Sequence, residues 1–246
     1  MSALDGSGRR GDGRRADELR PFEFRRDYTT MADGSALAVF GDTKVLCTAS
    51  VSSDIPRWMR DLRTGWLTAE YSMLPGSSPE RVSRRVGGRT KEIQRLIGRS
   101  LRTSVDLEAL GPRQVTIDCD VLQADGGTRT AAICGGYLAL HDALARLVRS
   151  GDIAESPIVD ECAAVSVGLI DAVALLDLPY AEDAGADVDF NVVMTGSGEL
   201  VEVQGTAEGK PFARSQLDEL LDLAAKGISE IVAAQRAVLA TPPAPR

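Results

Sequence analysis

Apolar and polar residues alternate along much of the first half of the chain. The alternation is clearest over residues 115–121, VTIDCDV, where every second side chain is apolar. A period of two predicts a β-strand with one buried face. Similar runs predict further strands between Arg20 and Glu70, with turns at Gly34-Ser35 and Gly41-Asp42.

Three other segments carry apolar residues at a spacing of three or four, which predicts helices. The first predicted helix runs from about Thr90 to Leu110, the second follows Gly126-Gly127, and the third runs from about Ala213 to Leu239. Alternating runs return between residues 162 and 205 and predict a second group of strands.

This order of strand groups and helices predicts a layered α+β fold with helices packed on mixed sheets. Each half of the chain has a block of strands followed by a helix, without a clean sequence repeat. We expect a disordered Gly/Arg-rich tail over residues 1–15, a single domain over 16–240, and a C-terminal tail over 241–246.

The net charge of −8 argues at first against a nucleic-acid partner. The charge is unevenly distributed, however, because residues 1–102 carry a net +6 and the remainder carries −14. Twenty-four of the 28 basic residues are arginines, which bind phosphates through two donors. The sequence therefore allows a basic surface for a polyanion on an otherwise acidic protein.

The four cysteines are scattered among apolar residues without a CxxC pair, as expected for buried thiols in a reducing compartment. The basic N-terminus is not followed by an apolar segment, so we expect no secretory signal. We find no apolar run of membrane-spanning length. These features predict a cytoplasmic protein without membrane contact.

The sequence DGGTRT at residues 125–130 joins a predicted strand to a predicted helix. Its central residues would present free N–H groups, a hydroxyl group and a guanidinium group at the positive end of a helix dipole. They are Gly126, Gly127, Thr128 and Arg129. Such a site favours an anion, and phosphate suits it best. The alternative is a capped helix with an arginine on its surface.

Arginines cluster in and before the first predicted helix. Arg95, Arg99 and Arg102 are spaced at i, i+4 and i+7, which aligns them on one helix face. Arg89 lies at the start of that helix, and the preceding loop carries Arg81, Arg84 and Arg85. Two interpretations remain open, namely a solvated helix face and a track for an RNA phosphate backbone.

Acidic residues concentrate in the segment DLPYAEDAGADVDF. It contains Asp183, Asp187 and Asp189, and in a strand the last two would share a face. Carboxylates brought together repel unless a cation joins them, and oxygen ligands suit Mg²⁺ or Mn²⁺. The alternative is an acidic surface loop. The single histidine, His141, excludes a mechanism that needs a pair of histidines.

Taken in order, these segments resemble the bacterial ribonuclease PH family of phosphate-dependent exoribonucleases that trim tRNA. The similarity extends over about residues 13–239 and is carried by GRRADELRP, FGDTKVLCTASV, GWLTAEYSMLP, GRTKEIQRLIGRSLR, IDCDVLQADGGTRTAAI, DLPYAEDAGADVDFNVV, VEVQGTAEG and FARSQLDELL. The fold implied is α+β, with mixed β-sheets and packed helices from two β/α halves, like domain 2 of ribosomal protein S5.

The resemblance also implies roles for particular residues. The implied phosphate site consists of Arg89, Gly127, Thr128 and Arg129. Asp183 and Asp189 would hold Mg²⁺ and assist the leaving group. The expected RNA contacts are Arg81, Arg84, Arg85, Arg95 and Arg99, although the loop over residues 76–88 is shorter than is usual in the family.

The reaction that the resemblance implies is phosphorolysis of tRNA precursors and other RNA 3′ ends. Inorganic phosphate, the co-substrate, would release nucleoside diphosphates reversibly, and the implied assembly is a homo-hexamer built as a trimer of dimers. A phosphate dianion needs no general base, which fits the single histidine. The alternatives are a non-catalytic RNA-binding ring subunit, a metal-dependent hydrolytic exoribonuclease and a small-molecule phosphotransferase.

Overall fold

A five-stranded sheet is built from the first half of the chain. The computed structural model describes residues 3–55, 57–59, 64–208 and 210–246. The strands are β1 (Phe22–Arg26), β2 (Gly34–Phe40), β3 (Thr43–Ser52), β4 (Trp66–Met73) and β5 (Gln114–Gln123). Their order is β1-β2-β3-β5-β4, in which β4 runs parallel to β5 and the other neighbours are antiparallel. The strands predicted in this half are confirmed.

The alternation along β3 and β5 buries one face of this sheet. Cys47 pairs with Cys119 across these strands, and all four cysteines are free and buried, as expected. The turn predicted at Gly34-Ser35 is wrong, because both residues belong to β2. Gly34 packs so closely on the backbone of Ala139 that a Cβ atom would collide with it. The glycine serves close packing there and makes no turn.

The helix predicted over residues 90–110 is divided in two. Helix α1 spans Gly88–Arg102, and the short helix α2 spans Leu107–Leu110. Asp106 separates them because its backbone is extended and its side chain accepts hydrogen bonds from the N–H groups of Glu108 and Ala109. An aspartate in this position caps a new helix instead of continuing the old one. The apolar face of α1 packs on β4.

Helix α3 (Thr128–Ser150) is the central element of the fold. It packs against β2, β3 and β5 of the first sheet and against β6 (Cys162–Ile170) of the second. Among the described residues, α3 is the one helix that is long and apolar enough, by length and composition alone, to cross a membrane. The sequence analysis had found no apolar run of that length. About 72% of its most apolar window is buried inside the protein, and that burial accounts for its composition.

The second half of the chain forms a four-stranded antiparallel sheet in the order β7-β6-β8-β9. Its other strands are β7 (Val173–Leu176), β8 (Val188–Thr195) and β9 (Leu200–Ala207). A one-turn helix that the sequence did not predict, α4 (Tyr180–Asp183), connects β7 to β8, and helix α5 (Arg214–Leu239) packs on β6, β7 and β8. The largest buried apolar cluster contains residues of both sheets.

The two terminal segments are attached to the folded core. The described part of segment 1–15 contains no helix or strand, but Arg10 and Arg14 are buried and donate hydrogen bonds to the carbonyl oxygen of Asp177. Near the other end, Ala244 accepts hydrogen bonds from Arg146. Disorder was predicted at residues 1–15 from composition alone. Composition cannot show that these arginines satisfy buried carbonyl groups in another part of the chain.

Candidate active site

The turn before α3 has a backbone that favours glycine. Gly126 and Gly127 have φ angles of 72° and 65°, in the left-handed region that glycine enters without strain. A Cβ atom on Gly126 would lie 2.5 Å from the carbonyl oxygen of Leu178 and 2.8 Å from the backbone nitrogen of Tyr180. The turn therefore packs directly against the segment that leads into α4.

The N-terminus of α3 presents free N–H groups at this turn. Gly127 is the N-cap residue and provides no side chain to satisfy them, so they are available to an anion. Thr128, the first helical residue, has its hydroxyl oxygen 2.8 Å from that of Tyr71 on β4. Three elements of an anion site are therefore adjacent: backbone donors, a positioned hydroxyl group and the positive end of a long helix.

Arg129 extends from α3 towards both α1 and β9. Its guanidinium group donates to the side-chain oxygen of Gln204 at 2.7 Å and to the carboxylate of Glu92 at 3.2 Å. Gln204 in turn donates to Glu92 at 2.7 Å. These contacts hold the guanidinium group in place without enclosing it, because the Arg129 side chain keeps about 15% of its accessible surface.

Arg89, in the first turn of α1, faces the same region. Burial raises the pKa of Tyr71, while its bond to Thr128 and the positive charges of Arg89 and Arg129 oppose that rise. Burial likewise raises the pKa of Asp183, and the same two arginines oppose that rise. Arg89 lines the same cleft as Tyr71, and Arg129 directly follows Thr128, whose hydroxyl group contacts Tyr71. Two arginines that are separated by 40 positions therefore both approach the glycine turn.

Two of the acidic residues lie together at this site. Asp183 ends α4 and Asp189 is the second residue of β8. Partial desolvation raises the pKa of Asp183, and the negative charge of Asp189 raises it further. Asp187, which was expected beside them, instead accepts a hydrogen bond from the N–H group of Asp171 at 3.1 Å.

Among the described residues there is no group of three or more His, Cys, Asp or Glu side chains that would form a metal cage. The pair Asp183 and Asp189 nevertheless fits Mg²⁺. This ion is commonly bound by one or two carboxylates together with substrate phosphates and water, and the two carboxylates repel each other in the absence of a cation.

The predicted RNA-contact arginines fall into two adjoining clefts. One, of about 300 Å³, is lined by Arg84, Arg85 and Arg89. The other, of about 520 Å³, is lined by Arg95, Arg99, Lys91 and Arg102. Arg81 lines neither, although it is exposed. The two clefts share Glu70 and Gln94, so together they form one groove, named the basic groove after the second cleft. The second cleft has four cations and one carboxylate. In the first cleft the carboxylates of Glu70, Asp118 and Asp120 accompany the three arginines.

Several site residues were not predicted from the sequence. Tyr71, Glu92 and Gln204 carry no motif of their own and act through contacts between distant segments. His141 lies 12 residues beyond Arg129 on α3, roughly 18 Å away along a helix, and is not part of the site. Its Nδ1 atom is 3.6 Å from the carboxylate of Asp142.

The fold is shared with two solved structures. The chain superposes on a chain of the Archaeoglobus fulgidus exosome, solved with RNA bound to its active site, with a TM-score of 0.81 and 23% identity over 92% of each chain. It also superposes on Rrp46 of rice (Oryza sativa), with a TM-score of 0.76 and 20% identity over 94% of this chain and 100% of that one. At these identities the likeness establishes the fold.

Sequence comparison identifies the family. Domain 1 of the 3′ exoribonuclease family, RNase PH, matches residues 18–145, and domain 2 of that family matches residues 160–227. The chain belongs to this 3′ exoribonuclease family, as its resemblance to ribonuclease PH predicted.

Proposed function

We propose that this protein is a phosphorolytic 3′→5′ exoribonuclease that trims the 3′ ends of tRNA precursors and releases nucleoside diphosphates. The observation that carries the proposal is the set of contacts around the α3 N-terminus. Thr128 contacts Tyr71, which lines a cleft together with Arg89. Gly126 packs against the segment that leads to Asp183. Arg89 also lines the basic groove, which continues along α1.

In the proposed reaction, inorganic phosphate binds the free N–H groups of α3, the hydroxyl group of Thr128 and the two arginines. One phosphate oxygen attacks the phosphorus atom between the last two nucleotides, and the bond to the penultimate 3′ oxygen breaks. The guanidinium groups offset the repulsion between two anions and stabilise the charge that develops on the nonbridging oxygens. No general base is required.

The departing 3′ oxygen needs a proton or an equivalent positive charge. Burial and the negative charge of Asp189 raise the pKa of Asp183, and we propose that a protonated carboxyl group of this pair, on Asp189 or Asp183, donates that proton. Mg²⁺ held by Asp183 and Asp189 would supply the alternative, neutralisation of the leaving oxygen. Either route uses the same two carboxylates.

The RNA substrate would follow the basic groove away from the phosphate site. Lys91, Arg95, Arg99 and Arg102 line a single cleft, and contacts from such cations bind the phosphate backbone irrespective of sequence. Arg99 also pairs with Glu202, and Arg102 donates to the carbonyl oxygen of Leu67. Arg84 and Arg85 would hold nucleotides nearer the reacting end. We expect the active form to be a homo-hexamer, a trimer of dimers, in line with the family.

One experiment tests the reaction. The purified protein is incubated with a 3′-end-labelled tRNA precursor and Mg²⁺, with and without phosphate, and the released nucleotide is identified by chromatography. Phosphate-dependent release of nucleoside diphosphates supports the proposal. Nucleoside monophosphates formed without phosphate would instead identify a hydrolytic nuclease. RNA binding without any product would identify a non-catalytic ring subunit.

A further inference from the structure

A buried ion pair joins the N-terminal part of the chain to the loop before α4. Arg20 and Asp177 are 5% and 2% exposed. The Nε and Nη2 atoms of Arg20 donate to the two carboxylate oxygens of Asp177 at 3.0 and 2.7 Å, and the backbone N–H group of Arg20 donates at 2.9 Å. This two-pronged geometry fixes the orientation of both groups.

The same guanidinium group also contacts the phosphate turn. Its Nη1 atom donates to the carbonyl oxygen of Asp125, and Nη2 lies 3.5 Å from that of Gly126. A Cβ atom on Gly127 would lie 3.1 Å from Nη2. Arg20 therefore lies directly behind the turn, between the turn and Asp177.

The segment beyond Asp177 leads within six residues to Asp183. Asp177 has a φ angle of 54°, a left-handed conformation that persists only where surrounding contacts enforce it. Its backbone N–H group donates to Ser166 at 2.7 Å, and its carbonyl oxygen accepts from Arg10 and Arg14 at 3.1 Å. Arg10 also pairs with Glu182, the residue before Asp183.

From these contacts we propose that Arg20 is a positioning residue, which fixes the distance between the phosphate turn and the segment carrying Asp183. It acts through Asp177 and the turn carbonyls, and it is assigned no contact with substrate. The catalytic effect of Arg20 rests on the proposed function. Its contacts with the phosphate turn and with Asp177 do not, because they join the two segments whatever the activity of the protein.

The test compares Arg20→Gln and Arg20→Lys with the same changes at Arg26. Arg26 is a matched control because it forms another arginine–aspartate pair, largely buried, with Asp142 of α3, far along that helix from the turn. We expect Arg20→Gln to lower kcat/KM for phosphate by up to ~100-fold, since small misplacements of reacting groups have effects of this size. Arg20→Lys should recover part of that loss, while the RNA dissociation constant stays within about twofold of wild type.

A structural role alone predicts a different pattern. Arg26→Gln should lower the melting temperature but leave the kinetics of the folded fraction unchanged. If Arg20→Gln, measured at equal folded fraction, does the same, the positioning role is overturned.

Amide hydrogen exchange provides a readout that is independent of catalysis. Arg20→Gln should raise exchange at residues 125–129 and 177–183 together, and Arg26→Gln should not. Unchanged exchange in either segment overturns the inference. If the wild-type protein releases no nucleoside diphosphate, the proposed function fails, and the exchange data alone then decide whether Arg20 couples the two segments.

Discussion

The hydroxyl groups of Tyr71 and Thr128 lie 2.8 Å apart and connect β4 to the first residue of α3. Tyr71 is almost fully buried, and burial raises its pKa. Its hydroxyl group therefore remains protonated at neutral pH and can donate to Thr128. The contact directs the threonine hydroxyl beside the free N–H groups of the helix.

Tyr71→Phe should weaken phosphate use specifically. Loss of one neutral hydrogen bond costs about 1 kcal/mol, or roughly a fivefold rise in KM for phosphate. The KM for RNA should not change. Steady-state kinetics with varied phosphate would measure the effect. Tyr137→Phe is the control, because Tyr137 is also a buried tyrosine but lies further along α3. An equal rise in KM for both variants would contradict the assignment.

Arg129→Ala should abolish most of the transition-state stabilisation at the phosphate. Removing one such donor costs ~3–4 kcal/mol, a loss of roughly 10²–10³ in kcat. Arg95→Ala is the comparison, because Arg95 lines the basic groove instead, and it should weaken RNA binding in a salt-dependent way. Phosphate titrations at two salt concentrations separate the effects. A wild-type phosphate dependence in Arg129→Ala would rule out its role.

Asp183→Asn and Asp189→Asn should each stop turnover while leaving RNA bound. General acid catalysis contributes at least ~100-fold, and an amide neither donates the same proton nor holds Mg²⁺ as a carboxylate does. Asp187→Asn is the control, since that carboxylate accepts from Asp171 outside the pair. Activity and RNA affinity are measured side by side. Parallel loss of both in the Asp183 variant would indicate a folding defect.

The repetitive part of the fold was predictable because it depends on local periodicity. Strands such as β5 and helices such as α3 and α5 follow directly from spacing of two and of three to four. The glycine turn was predictable for a similar reason, since it is a local motif between a strand and a helix. The pattern failed at two residues. Gly34 was predicted to form a turn but serves close packing in β2, and Asp106 was predicted inside a helix but caps α2.

The support of the site was not predictable because it depends on contacts between distant positions. Arg20 and Asp177 are 157 residues apart, and Arg129 meets Glu92 and Gln204 from two other elements. Composition marked residues 1–15 as polar and Gly/Arg-rich, which suggested disorder. Only the fold reveals the buried carbonyl groups near Asp177 that those arginines satisfy.

The thiols should be inert in the folded protein. Burial raises the pKa of Cys134 from its ordinary 9.0 to about 12 and raises that of Cys162 as well. An aromatic disulfide reagent at pH 8 should therefore react only as fast as the chain unfolds, and should find four thiols in denaturant. The unfolded thiols ionise first, so stability should fall as pH rises above about 9. Rapid reaction of the native protein would contradict this.

Gly126→Ala should damage the phosphate site more than the fold. Gly126 and Gly151 both have positive φ angles, of 72° and 82°, so alanine at either position costs roughly 1–2 kcal/mol of backbone strain. A Cβ atom on Gly151 meets nothing within 4 Å, whereas one on Gly126 collides with Leu178 and Tyr180. The collision separates the turn from the segment carrying Asp183. Both variants should therefore have lower melting temperatures, but only Gly126→Ala should lose phosphate-dependent activity. Comparable kinetics for the two folded variants would show that this contact has no part in the reaction.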